Sequence, residues 1–237
     1  LFSVLFWSTV ATAFKLSLQH ISYYELLFYS SLTSSFFLFL ILLIQKKIIL
    51  ITKLSSNEWL ISLLLGFLNP FLYYLILFKA YDILPAQEAL TLNYTWAIMV
   101  VMFSIPMLKQ KISFISLAAI IISFIGVIII ATKGDIFSLK FSNTFGVVLA
   151  LSSSIIWALY WILNIKDSRD VIVKLFLNFS IGFVCILILL LSTGGLNTPS
   201  FYGIIGSVYV GLFEMGITFI LWLNALKYSK TKTLLHQ

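Results

Sequence analysis

Residues Gly66–Ala86, GFLNPFLYYLILFKAYDILPA, lie without a gap over Gly211–Thr231, GLFEMGITFILWLNALKYSKT, at an offset of 145. Gly66 meets Gly211, Asn69 meets Glu214, Tyr73 meets Thr218 and Ala80 meets Ala225. Earlier in the chain Phe6-Trp7 lies over Ile156-Trp157 at an offset of 150, so the two copies stay close to one register. An internal repeat in an apolar chain points to a membrane carrier whose halves surround a central path. The repeat decides the fold class and leaves the cargo open.

Composition agrees. Hydrophobic residues make up 61% of the 237 residues and charged residues 10%, with a mean hydropathy of +1.10. Soluble domains carry roughly 25% charged residues. Apolar runs of about 20 residues recur, the length a helix needs to cross a hydrocarbon core. Inside lipid the backbone must satisfy its own hydrogen bonds, and runs this continuously apolar suit helices rather than barrel strands. The predicted fold is therefore all-α, a polytopic membrane helix bundle.

Eight spans are predicted, near residues 1–19, 23–44, 59–79, 86–107, 113–132, 144–165, 171–192 and 201–226, with Thr233–Gln237 opening a ninth. Spans 6, 7 and 8 repeat spans 1, 2 and 3. This places a first repeat at 1–135 and a second, incomplete one at 142–237. Two further spans would complete an inverted repeat of five helices per half, ten in the full protein, with eight to nine present here. The chain opens with Leu1 inside an apolar run and ends just after a basic loop, which reads as a piece of a longer protein.

Charge sets the expected orientation. With the N-terminus in the cytoplasm, the inner loops hold Lys46, Lys47, Lys53, Lys109, Lys111, Lys166, Arg169, Lys174, Lys227, Lys230 and Lys232. Only Lys15, Lys79, Lys133 and Lys140 fall outside, a clear positive-inside bias. The net charge of +7 thus serves topology rather than nucleic-acid binding. The single cysteine, Cys185, lies in an apolar run and says nothing about redox setting. A multi-pass protein of a bacterial-type cell membrane is expected, acting as monomer or homodimer, with membrane lipid and a small-molecule substrate as its partners.

The Trp of span 1, the Gly66, Asn69, Tyr73 and Ala80 set of span 3 and the ending FIGVIIIATKGD (124–135) resemble the drug/metabolite transporter superfamily, EamA type. The stretch Ala86–Ser113, AQEALTLNYTWAIMVVMFSIPMLKQKIS, is similar to the branch containing the aromatic amino acid exporters, with Ala97 where that branch usually has proline. The resemblance covers essentially the whole chain and implies a secondary transporter.

Polar groups inside a bilayer are expensive and mark function by default. Glu214 lies near the middle of span 8, on a helical stripe with Gly203, Ser207, Gly211, Thr218, Trp222 and Ala225. It is the first candidate for substrate contact and for proton coupling. A protonated carboxyl bonded to a neighbouring helix is the structural alternative. Its repeat-mate Asn69 is followed by Pro70, which removes a backbone donor and predicts a local bend. The predicted central cavity between the halves is walled by Asn69, Tyr73, Glu214, Thr218 and Trp222. Asn93, Tyr94 and Trp96 of the motif, with Trp7 and Trp157, are further path candidates.

Other polar groups are softer candidates. Glu88 sits near a span end, where water can solvate it. Ser8, Thr12, Lys15 and Gln19 form a stripe on span 1. Ser153, Trp157, Tyr160 and Asn164 share a face of span 6, and Lys174, Asn178, Gly182 and Cys185 share one of span 7. Gly203, Gly206 and Gly211 read as close helix contacts.

The sequence calls for no cofactor and no metal. No G-x-x-x-x-G-K loop occurs, so ATP is not the direct energy source. Export of a small metabolite such as an amino acid, by alternating access, is the leading reading. Proton-coupled drug or amine efflux and metabolite uptake are its alternatives. An embedded enzyme or a channel is remote, since no H-E-x-x-H, paired intramembrane aspartates or filter loop is present.

Overall fold

The computed structural model describes residues 2–109, 113–132, 134, 142–195 and 198–225. Lys111, Lys133, Asp135, Lys140, Lys227, Lys230, Lys232, His236 and the opening of a ninth span lie outside these residues. Each of the eight predicted spans is a helix. They are α1 (Phe2–Leu18), α2 (Tyr23–Ile44), α3 (Ser56–Ile83), α4 (Ala86–Leu108), α5 (Phe114–Ala131), α6 (Thr144–Lys166), α7 (Val171–Ser192) and α8 (Phe201–Ala225). Six of them, α2, α3, α4, α6, α7 and α8, are long and apolar enough to cross a membrane. Among the described residues there is no strand.

Local chemistry sets the helix starts. Ser22 with Glu25 opens α2, and Ser55 with Glu58 opens α3, each as a reciprocal capping box. Asn143, Asp170 and Ser200 cap α6, α7 and α8 through their side-chain oxygens.

Two helices are interrupted where the repeat aligns them. In α3 the turn Phe67–Leu72 is π-helical, and Asn69 within it leaves helical geometry altogether (φ −151°, ψ 121°). In α8 the turn Val210–Gly216 is π-helical too. At the repeat offset the α3 turn falls on 212–217, so the two wide turns overlap at Asn69 and Glu214. Such turns concentrate at functional positions.

The chain forms two compact units. The first holds 1–71 and 169–237, and the second holds 72–168. The break in α3 therefore sits where the chain leaves one unit for the other. In the first unit α2 is central, packed on α7 and on α8, while the N-terminal half of α3 packs on α7 and α1 on α8. Small residues permit this approach. A Cβ at Gly211 would stand 2.5 Å from the Ser30 carbonyl oxygen, and one at Gly182 would run into the Pro70 ring. In the second unit α6 is central and packs on the C-terminal half of α3 and on both halves of α4.

Candidate functional site

The candidate residues divide between the units, each set with its own chemistry. In the first unit Glu214 is 4% exposed, at mid-helix, inside the wide turn of α8. The Thr218 hydroxyl donates to the carbonyl of Phe213, five residues back. That is the spacing of a π-turn, so Thr218 braces the distortion that presents Glu214. Aromatic rings of α1 and α8 form a wall. Trp7 and Trp222 meet at 5.2 Å between ring centroids, Phe6 meets Phe213 at 5.2 Å, and Phe213 meets Tyr209 at 4.9 Å. The hydroxyls of Thr9 and Tyr209 share a 2.7 Å hydrogen bond. Below this wall α1 and α8 enclose a groove of about 650 Å³, lined in part by Ser8, Thr12, His20 and Tyr202. Two members of the stripe predicted on span 1, Ser8 and Thr12, therefore share one groove.

Asn69 is fully buried, and neither atom of its amide head has a hydrogen-bond partner among the described residues. Asn178 on α7 is in the same condition, as are the hydroxyls of Ser30, Ser31 and Ser34 on α2. Buried polar groups are normally satisfied.

The second unit holds a bonded network. Tyr73 donates to Asn93 Oδ1 at 3.3 Å, Asn93 Nδ2 donates to Ser153 Oγ at 3.0 Å, and Ser153 donates to the Ala150 carbonyl. Thr95 and Ser154 hydroxyls meet at 2.9 Å. Trp157 stacks on Tyr73 at 4.3 Å and meets Trp161 edge-on at 5.4 Å. The structure thus brings Tyr73, Asn93 and Trp157 together as a closed, mutually bonded nest. Tyr94 points away, 42% exposed beside a groove of about 750 Å³ between α4, α5 and α6. Trp96 is half-buried on the next turn.

The sequence profile of the EamA-like transporter family matches residues 1–132 and 144–234. The chain belongs to this family. An "uncharacterized transporter" of Clostridium kluyveri is 29% identical over 190 residues, which are 76% of this chain and 60% of that protein. One of Archaeoglobus fulgidus is 25% identical over 182 residues, 74% of this chain and 62% of the relative. The chain spans about six tenths of the length of these curated relatives. No solved structure matches at a significant level. Family membership and the six long apolar helices make this a multi-pass membrane protein.

For this family member, some features differ from the sequence reading. Glu88 is not solvated: it is 3% exposed and accepts a 2.6 Å hydrogen bond from Ser142, two residues before α6. The serines of α2 belong to no predicted site, although YSSLTSS (29–35) is a visible polar interruption of an apolar run. Arg169 reaches back to α3, donating to the Glu58 carbonyl at 3.0 Å and to Ser62 Oγ at 2.7 Å. Lys47 and Asp170 form an ion pair of 2.7 Å between the end of α2 and the start of α7. Burial alone would push the Asp170 carboxyl up. The Lys47 hydrogen bond and charge and the amides of Val173 and Ile172 outweigh it and hold it below the usual range.

Proposed function

We propose that the protein is a secondary transporter of the cell membrane, N-terminus inside, that exports a small metabolite such as an amino acid by alternating access. One observation carries the reading. The repeat-related helices α3 and α8 both abandon α-helical geometry at the depth where one holds a buried amide and the other a buried carboxyl. Interrupted helices at the bilayer midplane are where carriers bind cargo and coupling ions. Glu214 takes the proton, or the ammonium of the cargo. Asn69, Trp7 and Trp222 complete its surroundings in the first unit, and Tyr94 and Trp96 extend the path in the second. The Tyr73–Asn93–Trp157 nest is the rigid part of the machine. Because Glu214 offers a carboxylate, proton-coupled amine efflux is the second reading.

The test is flux into proteoliposomes carrying the full-length protein, with labelled amino acids and amines, with and without a pH gradient. The expected result is saturable, gradient-sensitive flux that Glu214→Gln lowers by about tenfold or more, a loss near 1.4 kcal/mol. Flux unaffected by the substitution makes Glu214 a structural group. Absence of flux for every compound refutes the amino-acid reading.

A further inference from the structure

The link between α2 and α3, QKKIILITKLSS (45–56), carries four apolar residues in a row between lysines. Lys46 takes a left-handed conformation (φ 55°) just past the end of α2, and Ile48–Lys53 then form a 3-10 helix. Within that turn Thr52 Oγ1 donates to the Ile49 carbonyl at 2.9 Å. Ile51 and Leu54 pack on Leu42, Ile172, Val173 and Leu177, which anchors the turn to the end of α2 and the start of α7. The other apolar residues stay outside. Ile48 and Ile49 are 46% and 56% exposed, Leu50 is exposed beside them, and so are Trp59 and Leu60 early in α3. The charges are sorted in the same way. Asp170 is taken up by Lys47 at 2.7 Å, and the Glu58 carboxylate accepts from the amide and hydroxyl of Ser55, both at 2.8 Å. Lys46 and Lys53 are exposed, and neither has an ion-pair partner among the described residues.

We propose that this turn is a binding site for anionic phospholipid, with Lys46 and Lys53 on the headgroup phosphates and Ile48, Ile49 and Leu50 among the upper acyl carbons. Its position follows from its neighbours. Helices α2 and α3 are both long and apolar enough to cross a membrane, so the short link that joins them lies at a bilayer surface. Exposed isoleucine and leucine placed there meet either water or lipid, and burial in lipid is favoured. Tryptophan settles at headgroup level, and lysine lays its stem along apolar surface while its ammonium stays in the polar layer. An apolar face edged by lysine is the composition of segments that lie in the interface. The two exposed lysines select an anionic headgroup over a zwitterionic one. Each lysine near an anionic surface contributes roughly fivefold in affinity, so the pair gives about 25-fold. This inference goes beyond the transport reading and does not depend on it, since it needs only that α2 and α3 span the membrane.

The experiment uses the full-length protein carrying a fluorophore on Ile49→Cys, with Cys185 and any other cysteine replaced by serine, in phosphatidylcholine bilayers. Brominated phosphatidylglycerol or brominated phosphatidylcholine is mixed in as quencher, and the quenching curves give the preference of this turn for one lipid over the other. The expected preference is about 25-fold for phosphatidylglycerol at low salt, smaller at high salt. It should fall to near unity in Lys46→Gln/Lys53→Gln and persist in Lys46→Arg/Lys53→Arg. Both lysines are exposed, so thermal unfolding of the variants in neutral detergent should match the parent, which separates lost lipid from lost fold. Equal quenching by the two lipids overturns the site, as does a preference that survives the double glutamine variant. A preference abolished by excess inorganic phosphate assigns the lysines to a free anion and overturns it too. Absence of quenching by either lipid also overturns it, and energy transfer between differently labelled copies would then assign the apolar turn to a second copy of this chain.

Discussion

Asn93 shows how much one side chain can decide. Its Oδ1 accepts from Tyr73 and its Nδ2 donates to Ser153, joining α3, α4 and α6 inside a fully buried nest. Truncation to alanine removes both bonds and opens a polar void where no water competes. Asn93→Ala is therefore expected to lower stability by about 1–3 kcal/mol, read by thermal unfolding in detergent. Tyr94, the next residue, is 42% exposed and turned away from that nest. The sequence put Asn93 and Tyr94 in one motif with one role. Their fates differ because the helix turns by about 100° per residue, and only contacts at separations of 60 residues reveal which side meets Ser153. Thr218 is a similar case. Its stripe placed it beside Glu214, but the bond to the Phe213 carbonyl depends on a π-turn that no residue type in VGLFEMG announces.

At the scale of elements, the eight spans were readable because apolar length and capping residues are local properties. The break in α3 was readable at Pro70 for the same reason. The wide turn in α8 contains no proline, and nothing in the sequence pointed to it. Packing follows a different logic, set by where helices approach. Gly182 and Gly126 provide a matched comparison. A Cβ at Gly182 has the Pro70 ring and the Gly66 carbonyl in its way, whereas one at Gly126 in α5 meets nothing within 4 Å. Gly182→Ala should destabilise by about 1–3 kcal/mol through overpacking of the α3–α7 seam. Gly126→Ala should be neutral or stabilise by up to ~1 kcal/mol, since it removes the glycine penalty within a helix. Unfolding of the two variants side by side checks both. Equal effects would mean that Gly182 is not the contact that sets the seam.

The whole molecule is organised in a way that linear reading does not reach. The two stretches that match the family, 1–132 and 144–234, follow one another along the chain, yet each compact unit draws on both, and the first is assembled from two segments separated by nearly a hundred residues. Such pairing rests on long-range contacts, above all α2 with α7, for which one sequence carries no direct signal. Lys47 and Asp170 tie these segments at the basic end, 123 positions apart and each side chain about a third exposed. Exposure to water and salt limits the pair to about 0.5–1 kcal/mol. Its pH dependence has a definite sign. Because folding lowers the Asp170 pKa, the contribution is fully present above the free carboxyl value, near pH 4, and disappears as pH falls through the folded value. Unfolding followed from pH 7 down to pH 3 should therefore show a smaller acid-side loss in Asp170→Asn than in the wild type. Lys47→Ala should lower stability at pH 7 by a similar small amount, and the double variant should lose less than the sum of the two. Additive losses would show that the ion pair does not couple the two segments, leaving the apolar contacts of Leu42 with Ile172, Val173 and Leu177 to hold the first unit together at that end.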